Sequence, residues 1–373
     1  MTKPQLKLSI YSPEDIDSKQ KSAWIDLEAR AVEANAFLSP LFVLPAIKYL
    51  EDKNNIFVAF VEKIGAGTSE LIGIGVFRER AAIRQFPLKH IVGYQSTHSY
   101  LSGLLIDKDH VEEVLGCIYE FVDTNKNRWH GLIYEMKVSD ETLDNAEHVV
   151  AAGMGFNWTE FNRTQRAILK LSECGKSSNA KIPKNTRKNF ERRMRRLKEL
   201  GNNDWQLVKG DSIKRRVIDN FIRLEDMGWK GQEGTSLISN PDHVLFFEEM
   251  IKGFRDNERA FFTELSIDNK VISSTSNLVS GTSGFAFKIG WNKKYANLSP
   301  GVLNEIVLMQ RCKELLGDLD LIDSCAAEDS YINKLWPWKR EIVSGIYTTT
   351  TLGSMIAKNM KRIKEHIKKL KEK

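Results

Sequence analysis

Two periods of apolar and polar residues alternate along the chain, and their order is run through twice. LKLSIY (6–11) alternates with the period of two that marks a half-buried strand. From Ser18 to Val32 the period becomes helical, with Ala23, Trp24, Leu27 and Ala31 on one face, and Leu41–Leu50 reads as a second helix. NIFVAFVE (55–62) and ELIGIGVFRE (70–79) are apolar, β-branched runs across a Gly-rich turn, so they predict a hairpin. YLSGLLID (100–107) predicts a strand, followed by a helix from Asp109 and the buried strand WHGLIYEMKV (129–138). A helix N-capped by Ser139 and ending near Gly153, then the strand RTQRAILKL (163–171), close this first pass.

SECGKSSNAKIP (172–183) is small, polar and ends in Pro, the composition of a linker. The same order of elements then returns without visible sequence identity: a helix Asn185–Leu200 stopped by Gly201, the strand DWQLVKG (204–210), a helix Ser212–Met227 and a helix from Asn240 to Phe254. FFTELSI (261–267), KVISSTSNLV (270–279) and GFAFKIGW (284–291), separated by Asp-Asn and Gly-Thr-Ser-Gly turn signals, predict a meander. ANLSPG (296–301) opens a helix Val302–Leu316, LDLIDSCA (319–326) is a strand, and a short helix carries Glu328, Asp329, Tyr331 and Lys334. REIVSGIYTTT (340–350) and an amphipathic helix Leu352–Lys373 end the chain. The pattern predicts an α/β (α+β) fold of two tandem units, each a mixed, mostly antiparallel twisted sheet flanked by helices. Their bounds are residues 1–172 and 185–350, with a linker at 173–184 and a basic helix at 351–373.

A length of 373 residues suits two cores. Cys117, Cys174, Cys312 and Cys325 lie far apart, with no C-x-x-C pair and no His spaced for zinc, so no metal is expected and the thiols fit a reducing compartment. No apolar run of about 18 residues predicts a spanning helix. The start of the chain has no apolar signal-peptide core, and a cytoplasmic location is expected. The formal charge of +6 is uneven: Lys181–Arg216 holds thirteen Lys and Arg against four acids, and Thr351–Lys373 eight against two, leaving about −9 elsewhere. The Arg-rich helix has Phe190, Met194 and Leu197 on one stripe; it either binds a phosphate-rich partner or is a solvated helix against an acidic neighbour, and nucleic acid is the less expected partner. In the last helix Ile356, Met360, Ile363, Ile367 and Leu370 form a stripe that either docks on the protein or lies on an anionic membrane.

Candidate chemistry gathers in the second half. The first N–H groups of a helix lack internal partners at the positive end of its dipole, which favours phosphate. Ser299 fits the N-cap, Pro300 the first helical position, and Gly301 lets a ligand approach the backbone ahead of Val302. Asp323 is an acid inside an apolar strand, near the carboxyl end where α/β sheets bind ligands, and Glu305 and Glu264 stand behind it. Tyr331 and Lys334 are three apart, on one helical face. Trp229 and Lys230, set among glycines in GWKGQEGT (228–235), either line an acceptor groove or plug an interface. His90 and His98 are read as surface or hydrogen-bonding residues.

GWKGQEGT, the Phe246-Phe247 helix, FAFKIGW (285–291), YANLSPG (295–301) and DSCAAEDSYINKLWPWKR (323–340) together resemble the catalytic half of the GNAT acyltransferase superfamily, in its CelD-like branch of cellulose and exopolysaccharide synthesis. The tandem arrangement is similar to Fem-type aminoacyltransferases. The resemblance implies an acyl-CoA co-substrate, acetyl-CoA above all, with its pyrophosphate at Ser299–Val302, although LSPG replaces the superfamily's Gln/Arg-x-x-Gly-x-Gly/Ala loop. It places an oxyanion donor on the backbone around Lys288, Ile289, Gly290 and Trp291 and a proton donor at Tyr331; Asp323 is then the group expected to orient or deprotonate the acceptor, with Glu305 and Glu264 behind it, and Trp229, Lys230 and Lys334 bind the acceptor. The first unit is then a degenerate partner that shapes the substrate site. The expected reaction is N- or O-acylation of an amino sugar or cell-surface precursor. The alternatives are an aminoacyl-tRNA-dependent peptide ligase and a non-catalytic adaptor in polysaccharide secretion.

Overall fold

The structure is a computed structural model and describes residues 5–65, 67–82, 86–175, 181–228, 231 and 233–371, with no side chain beyond Arg362. In chain order the first elements are β1 (Gln5–Tyr11), α1 (Ser18–Arg30), α2 (Pro40–Leu50), β2 (Ile56–Ile64), β3 (Ser69–Arg80), β4 (His90–Gly93), β5 (Leu105–Ile106), α3 (Val111–Thr124), β6 (Gly131–Val138), α4 (Glu141–Gly153) and β7 (Asn157–Lys170). Then come α5 (Lys184–Glu199), β8 (Asn203–Lys209), α6 (Arg215–Asp226), α7 (Pro241–Asp256), β9 (Ala260–Ile267), β10 (Lys270–Ser280), β11 (Ser283–Trp291), α8 (Pro300–Leu315), β12 (Leu321–Asp323), β13 (Trp338–Thr348) and α9 (Thr351–Lys371).

The fold is mixed α/β with mostly antiparallel strands, and the chain divides into two compact units. The first comprises the residues up to Ile47, Glu51–Gln165 and those from Glu341 on; the second is Lys48–Leu50 with Arg166–Arg340. In the first unit β1, β2, β3 and β4 pair antiparallel in that order, β4 runs parallel to β6, and Ile342–Thr348 of β13 pairs antiparallel with β6. In the second, β8, β9, β10 and β11 form the expected meander, β11 runs parallel to β12, and Ile168–Lys170 of β7 pairs antiparallel with β12. The division therefore falls elsewhere than at 172 and 350. β7 ends in the second unit and most of β13 lies in the first, because an alternating strand pattern records which face is buried and not which strand it joins.

Three local expectations are corrected. Only Leu105–Ile106 of the run 100–107 is strand, since Ser102 donates its hydroxyl to the Glu135 carbonyl and Gly103 takes a left-handed φ of 131°. Asp140, not Ser139, caps α4, accepting from the Leu143 N–H at 2.9 Å, while the Ser139 hydroxyl donates to Asp144. Of the surface or hydrogen-bonding roles expected for His90 and His98, burial removes the surface one, while His90 on β4 keeps the hydrogen-bonding one, its Nδ1 2.8 Å from the Leu88 carbonyl and its pKa lowered by burial.

The core of the second unit has two layers. On one face of the sheet, α8 packs Leu303, Ile306 and Met309 against Trp205, Leu265 and Ile322, and α5 adds Phe190, Met194 and Leu197. On the other, Phe221 of α6 stacks on Phe247 of α7 at 5.1 Å, and Phe247 on Phe287 at 6.2 Å. In the first unit Ala357 of α9 is buried, and Ile356 and Met360 pack against a cluster of Phe86, Ile133 and Ile346, so the described start of α9 is docked on protein. Ile363, Ile367 and Leu370 lie outside the described side chains.

Gly290 explains how closely α6 approaches the sheet. A Cβ added there would lie 2.4 Å from the Glu225 N and 2.7 Å from the Leu224 C, both backbone atoms that cannot swing aside. We expect Gly290→Ala to destabilise the protein by about 1–3 kcal/mol. Its midpoint in denaturant unfolding should fall accordingly; an unchanged midpoint would contradict this packing.

Candidate functional site

The turn from β11 into α8 is built by local hydrogen bonds. Asn292 caps the 3-10 turn Lys293–Leu298 through the Lys294 N–H at 3.0 Å. Ser299 then adopts a left-handed conformation, φ 51° and ψ 61°, which reverses the chain. Its carbonyl accepts the first intrahelical bond, from the Leu303 N–H at 3.1 Å, but its side chain makes no capping bond, so the expected hydroxyl cap is absent. Pro300 occupies the first helical position, leaving the N–H groups of Gly301 and Val302 at the helix start without a turn before them. Gly301 is buried against β11: a Cβ there would stand 3.1 Å from Ile289 Cδ1 and 3.4 Å from Trp291 Cδ1. The helix start is thus a backbone cradle that a side chain would fill, and it suits an anion.

Beside this cradle the sheet opens. β11 and β12 pair only from Ser283 to Phe285, so the backbone of Ala286–Trp291 runs on past the end of β12. Ile289 faces α8 here. Lys288 lies across β10 from Ser276, is buried, and has its Nζ 4.0 Å from Glu225 Oε1 on α6. Gly290, under α6, shares that face with Lys288.

One turn into α8, a buried polar layer joins the helix to three strands. Asn304 accepts from Trp205 Nε1 at 2.7 Å and donates to the Thr263 hydroxyl at 2.9 Å and the Thr275 hydroxyl at 3.2 Å. Thr275 in turn donates to Glu305 Oε1 at 2.6 Å. Glu305 is only 3% exposed and its Oε2 has no partner among the described residues. Burial without a positive neighbour disfavours the charged form, and its pKa is pushed up to about 7, the Thr275 hydrogen bond opposing the shift. Glu264 is also buried with its pKa raised by desolvation, but Gln206 holds its Oε2 at 2.8 Å.

Tyr331 starts the 3-10 turn Tyr331–Lys334 and is 44% exposed as a residue. Its hydroxyl end is nevertheless desolvated, and this, with the charge of Glu305 second, raises its pKa. Lys334 is exposed, and its side chain makes no hydrogen bond or ion pair with another described residue. Asp323 is fully buried: Oδ1 accepts from the Cys325 N–H at 2.6 Å, Arg340 Nε stands 3.0 Å from Oδ2, and Arg166 Nη1 3.7 Å from Oδ1. Asn333 completes the loop, accepting from the Ala167 N–H and donating to the carbonyls of Ala327 and Glu328. Trp229 and Lys230 lie outside the described residues.

The structure thus brings Ile289, Ser299–Val302 and Glu305 to one side of the sheet with Tyr331 in electrostatic range, and places Lys288 and Gly290 on the other. Sequence reasoning missed Thr275, Asn304, Arg166 and Arg340. The run SSTSN (273–277) inside a strand that is otherwise apolar was a signal for a buried polar layer; the arginines, 157 and 17 residues from Asp323, gave none.

Residues 184–340 match the family model of the acetyltransferase (GNAT) domain. The second unit therefore carries a GNAT-type domain, and the chain is an acyltransferase by class. Three solved structures share the fold over most of the chain. FemX has a TM-score of 0.59 at 10% identity, covering 90% of this chain and 98% of its own. The C-terminal domain of a putative lysylphosphatidylglycerol synthetase from Agrobacterium fabrum has a TM-score of 0.54 at 11% identity, covering 91% and 94%. L-PGS from Bacillus licheniformis has 0.53 at 13%, covering 94% and 98%. No curated protein matches the chain by sequence.

The buried Glu305 makes stability depend on pH. Its folded pKa of about 7 stands above the ordinary 4.5, so the stability it contributes is complete below pH 4.5 and is lost as pH rises through about 7. Relative to Glu305→Gln, the wild type should lose about 2–3 kcal/mol between pH 4.5 and 7.5 and no more above that. Denaturant unfolding of both proteins across this range checks it; parallel curves would place the carboxyl in contact with solvent.

Proposed function

We propose that the second unit transfers an acetyl group from acetyl-CoA to an amine or hydroxyl of an amino sugar or cell-surface precursor, in the manner of CelD-like acetyltransferases, within the cytoplasm where acyl-CoA is found. The observation that carries this reading is the cradle at Ser299, Pro300, Gly301 and Val302, set beside the stretch of β11 that runs on past the end of β12, in a domain matching the GNAT family model. The residues present fit acyl-CoA: a helix start for its pyrophosphate and an open strand edge for its pantetheine arm. Bound there, acyl-CoA supplies a thioester carbonyl.

The chain's own groups then divide the work. Glu305, poised near pH 7, receives the proton that the acceptor loses. Backbone N–H groups of β11 between Lys288 and Trp291 stabilise the charge developing on the carbonyl oxygen. Tyr331, kept protonated by its raised pKa, gives its proton to the departing sulfur. Asp323 takes a positioning part, because its carboxylate lies between Arg166 and Arg340 and caps the Cys325 N–H. Trp229, Lys230 and Lys334 are assigned to the acceptor. The resemblance to FemX and the density of arginines on α5 support a second reading, aminoacyl transfer from tRNA, in which reversing the charge of Arg192, Arg193, Arg195 and Arg196 abolishes activity.

Thiol release from acetyl-CoA, measured against a panel of amino sugars, tests the proposal. Turnover should rise with pH through about 7, and Glu305→Gln should lower kcat by about 10²–10⁴ and remove that rise. Tyr331→Phe should lower kcat without changing the binding of acetyl-CoA. Full activity in both variants would exclude these roles.

A further inference from the structure

Cys174 and Cys312 are 138 residues apart in sequence, yet they are neighbours in the core of the second unit, and both are free thiols. The 3-10 turn Leu171–Glu173 follows β7, and Cys174 closes it through its N–H to the Leu171 carbonyl at 3.1 Å. This segment lies on the last turns of α8 and is held there on both sides of Cys174. Lys313 Nζ donates to the Ser172 carbonyl at 3.0 Å, and the Gly175 N–H donates to the Met309 carbonyl at 3.4 Å. Cys312 lies between Met309 and Lys313, its Sγ 3.7 Å from that same Met309 carbonyl. The two side chains therefore meet, with their sulfurs in hydrogen-bond contact.

Their surroundings make the two thiols unequal. The bond between the sulfurs lowers the pKa of Cys174, and the charges of Lys181 and Lys313 act in the same sense, against burial and Glu173. The same bond raises the pKa of Cys312, and burial raises it further. Cys174 is also the more accessible, 5% exposed against 0%. The other two cysteines are set differently: burial raises the pKa of Cys117, in the first unit, and of Cys325, beside Asp323.

We propose that Cys174 and Cys312 are a redox-active pair that a hydroperoxide closes to a disulfide. The Cys174 thiolate attacks one oxygen of hydrogen peroxide, the O–O bond breaks, and the departing hydroxide takes up the proton that Cys174 released, giving a sulfenic acid and water. The Cys312 sulfur then attacks the sulfenic sulfur, the S–O bond breaks, and hydroxide leaves with the Cys312 proton as a second water. Two thiols and one peroxide become one disulfide and two waters, the protein losing the two electrons that the peroxide gains. The new bond encloses α5, the meander β8–β11 and most of α8, and it fastens the end of the helix whose start forms the anion cradle. No part of this depends on which acyl donor is used.

The test treats the full chain with a small molar excess of hydrogen peroxide, removes the excess, counts thiols in the denatured chain and maps cross-linked peptides without reduction. The wild type should fall from four free thiols to two, with a dithiothreitol-reversible link joining Cys174 to Cys312. Its midpoint in denaturant should rise, because the unfolded chain then carries a long closed loop. Cys312→Ser should stop at a sulfenic acid on Cys174 that dimedone traps, and Cys174→Ser should leave Cys312 unoxidised; alanine replaces serine where a variant folds poorly. Four thiols remaining in the treated wild type, a link through Cys117 or Cys325, or oxidation of Cys312 in the Cys174→Ser chain overturns the proposal.

Discussion

The hydrogen bonds that join Asn304 to Trp205, Thr263 and Thr275 fix the rotation of α8 on the sheet. A helix packed by Leu303, Ile306 and Met309 alone could slide or turn with little penalty, because apolar contacts are not directional. The amide cannot: each of its bonds is buried, and breaking one leaves an unsatisfied group worth about 1–3 kcal/mol. With α8 held, Gly301 is kept against Ile289 and Trp291, the helix start points where β11 leaves β12, and Glu305 is pressed next to Thr275. The proposed cradle and the proposed proton acceptor both follow from one buried polar layer.

That layer also accounts for the chemistry assigned to each acid. Glu305 and Asp323 are both carboxyl groups with almost no exposed surface, yet they have opposite surroundings. Glu305 has one neutral hydrogen bond and an unpaired oxygen, so it is held near the pH at which a proton can be taken or given. Asp323 faces Arg166 and Arg340 and caps the Cys325 N–H, which ties β12 to β7, β13 and the loop that carries Tyr331. Two residues of one chemistry therefore divide into a proposed proton acceptor and a structural anchor, by environment alone.

Much of this arrangement was legible in the sequence, and the reasons differ by element. The meander β9, β10 and β11 was readable because its strands are apolar, β-branched runs separated by strong turn signals, and Ser299-Pro300-Gly301 is a helix start by composition. β4 was not readable, since four residues carry too little pattern. The choice between Glu305 and Asp323 was hidden because it depends on Arg166, Arg340 and Thr275, whose proximity is set by pairing across the sheet and not by spacing. The expectation for Ser299 shows the same limit: its position at the helix start was right, but its left-handed backbone turns the hydroxyl away from the cap.

The central claim is that the start of α8 receives the pyrophosphate of acyl-CoA, and calorimetric titration with acetyl-CoA and with desulfo-CoA tests it most directly. The wild type should bind both, since the claim concerns the nucleotide end and not the thioester. A Gly301→Glu variant, which fills the cradle and adds a negative charge at the helix start, should bind neither while remaining folded by circular dichroism, though with a lowered unfolding transition. Undiminished binding by the folded variant, or no binding by the wild type, would contradict the account.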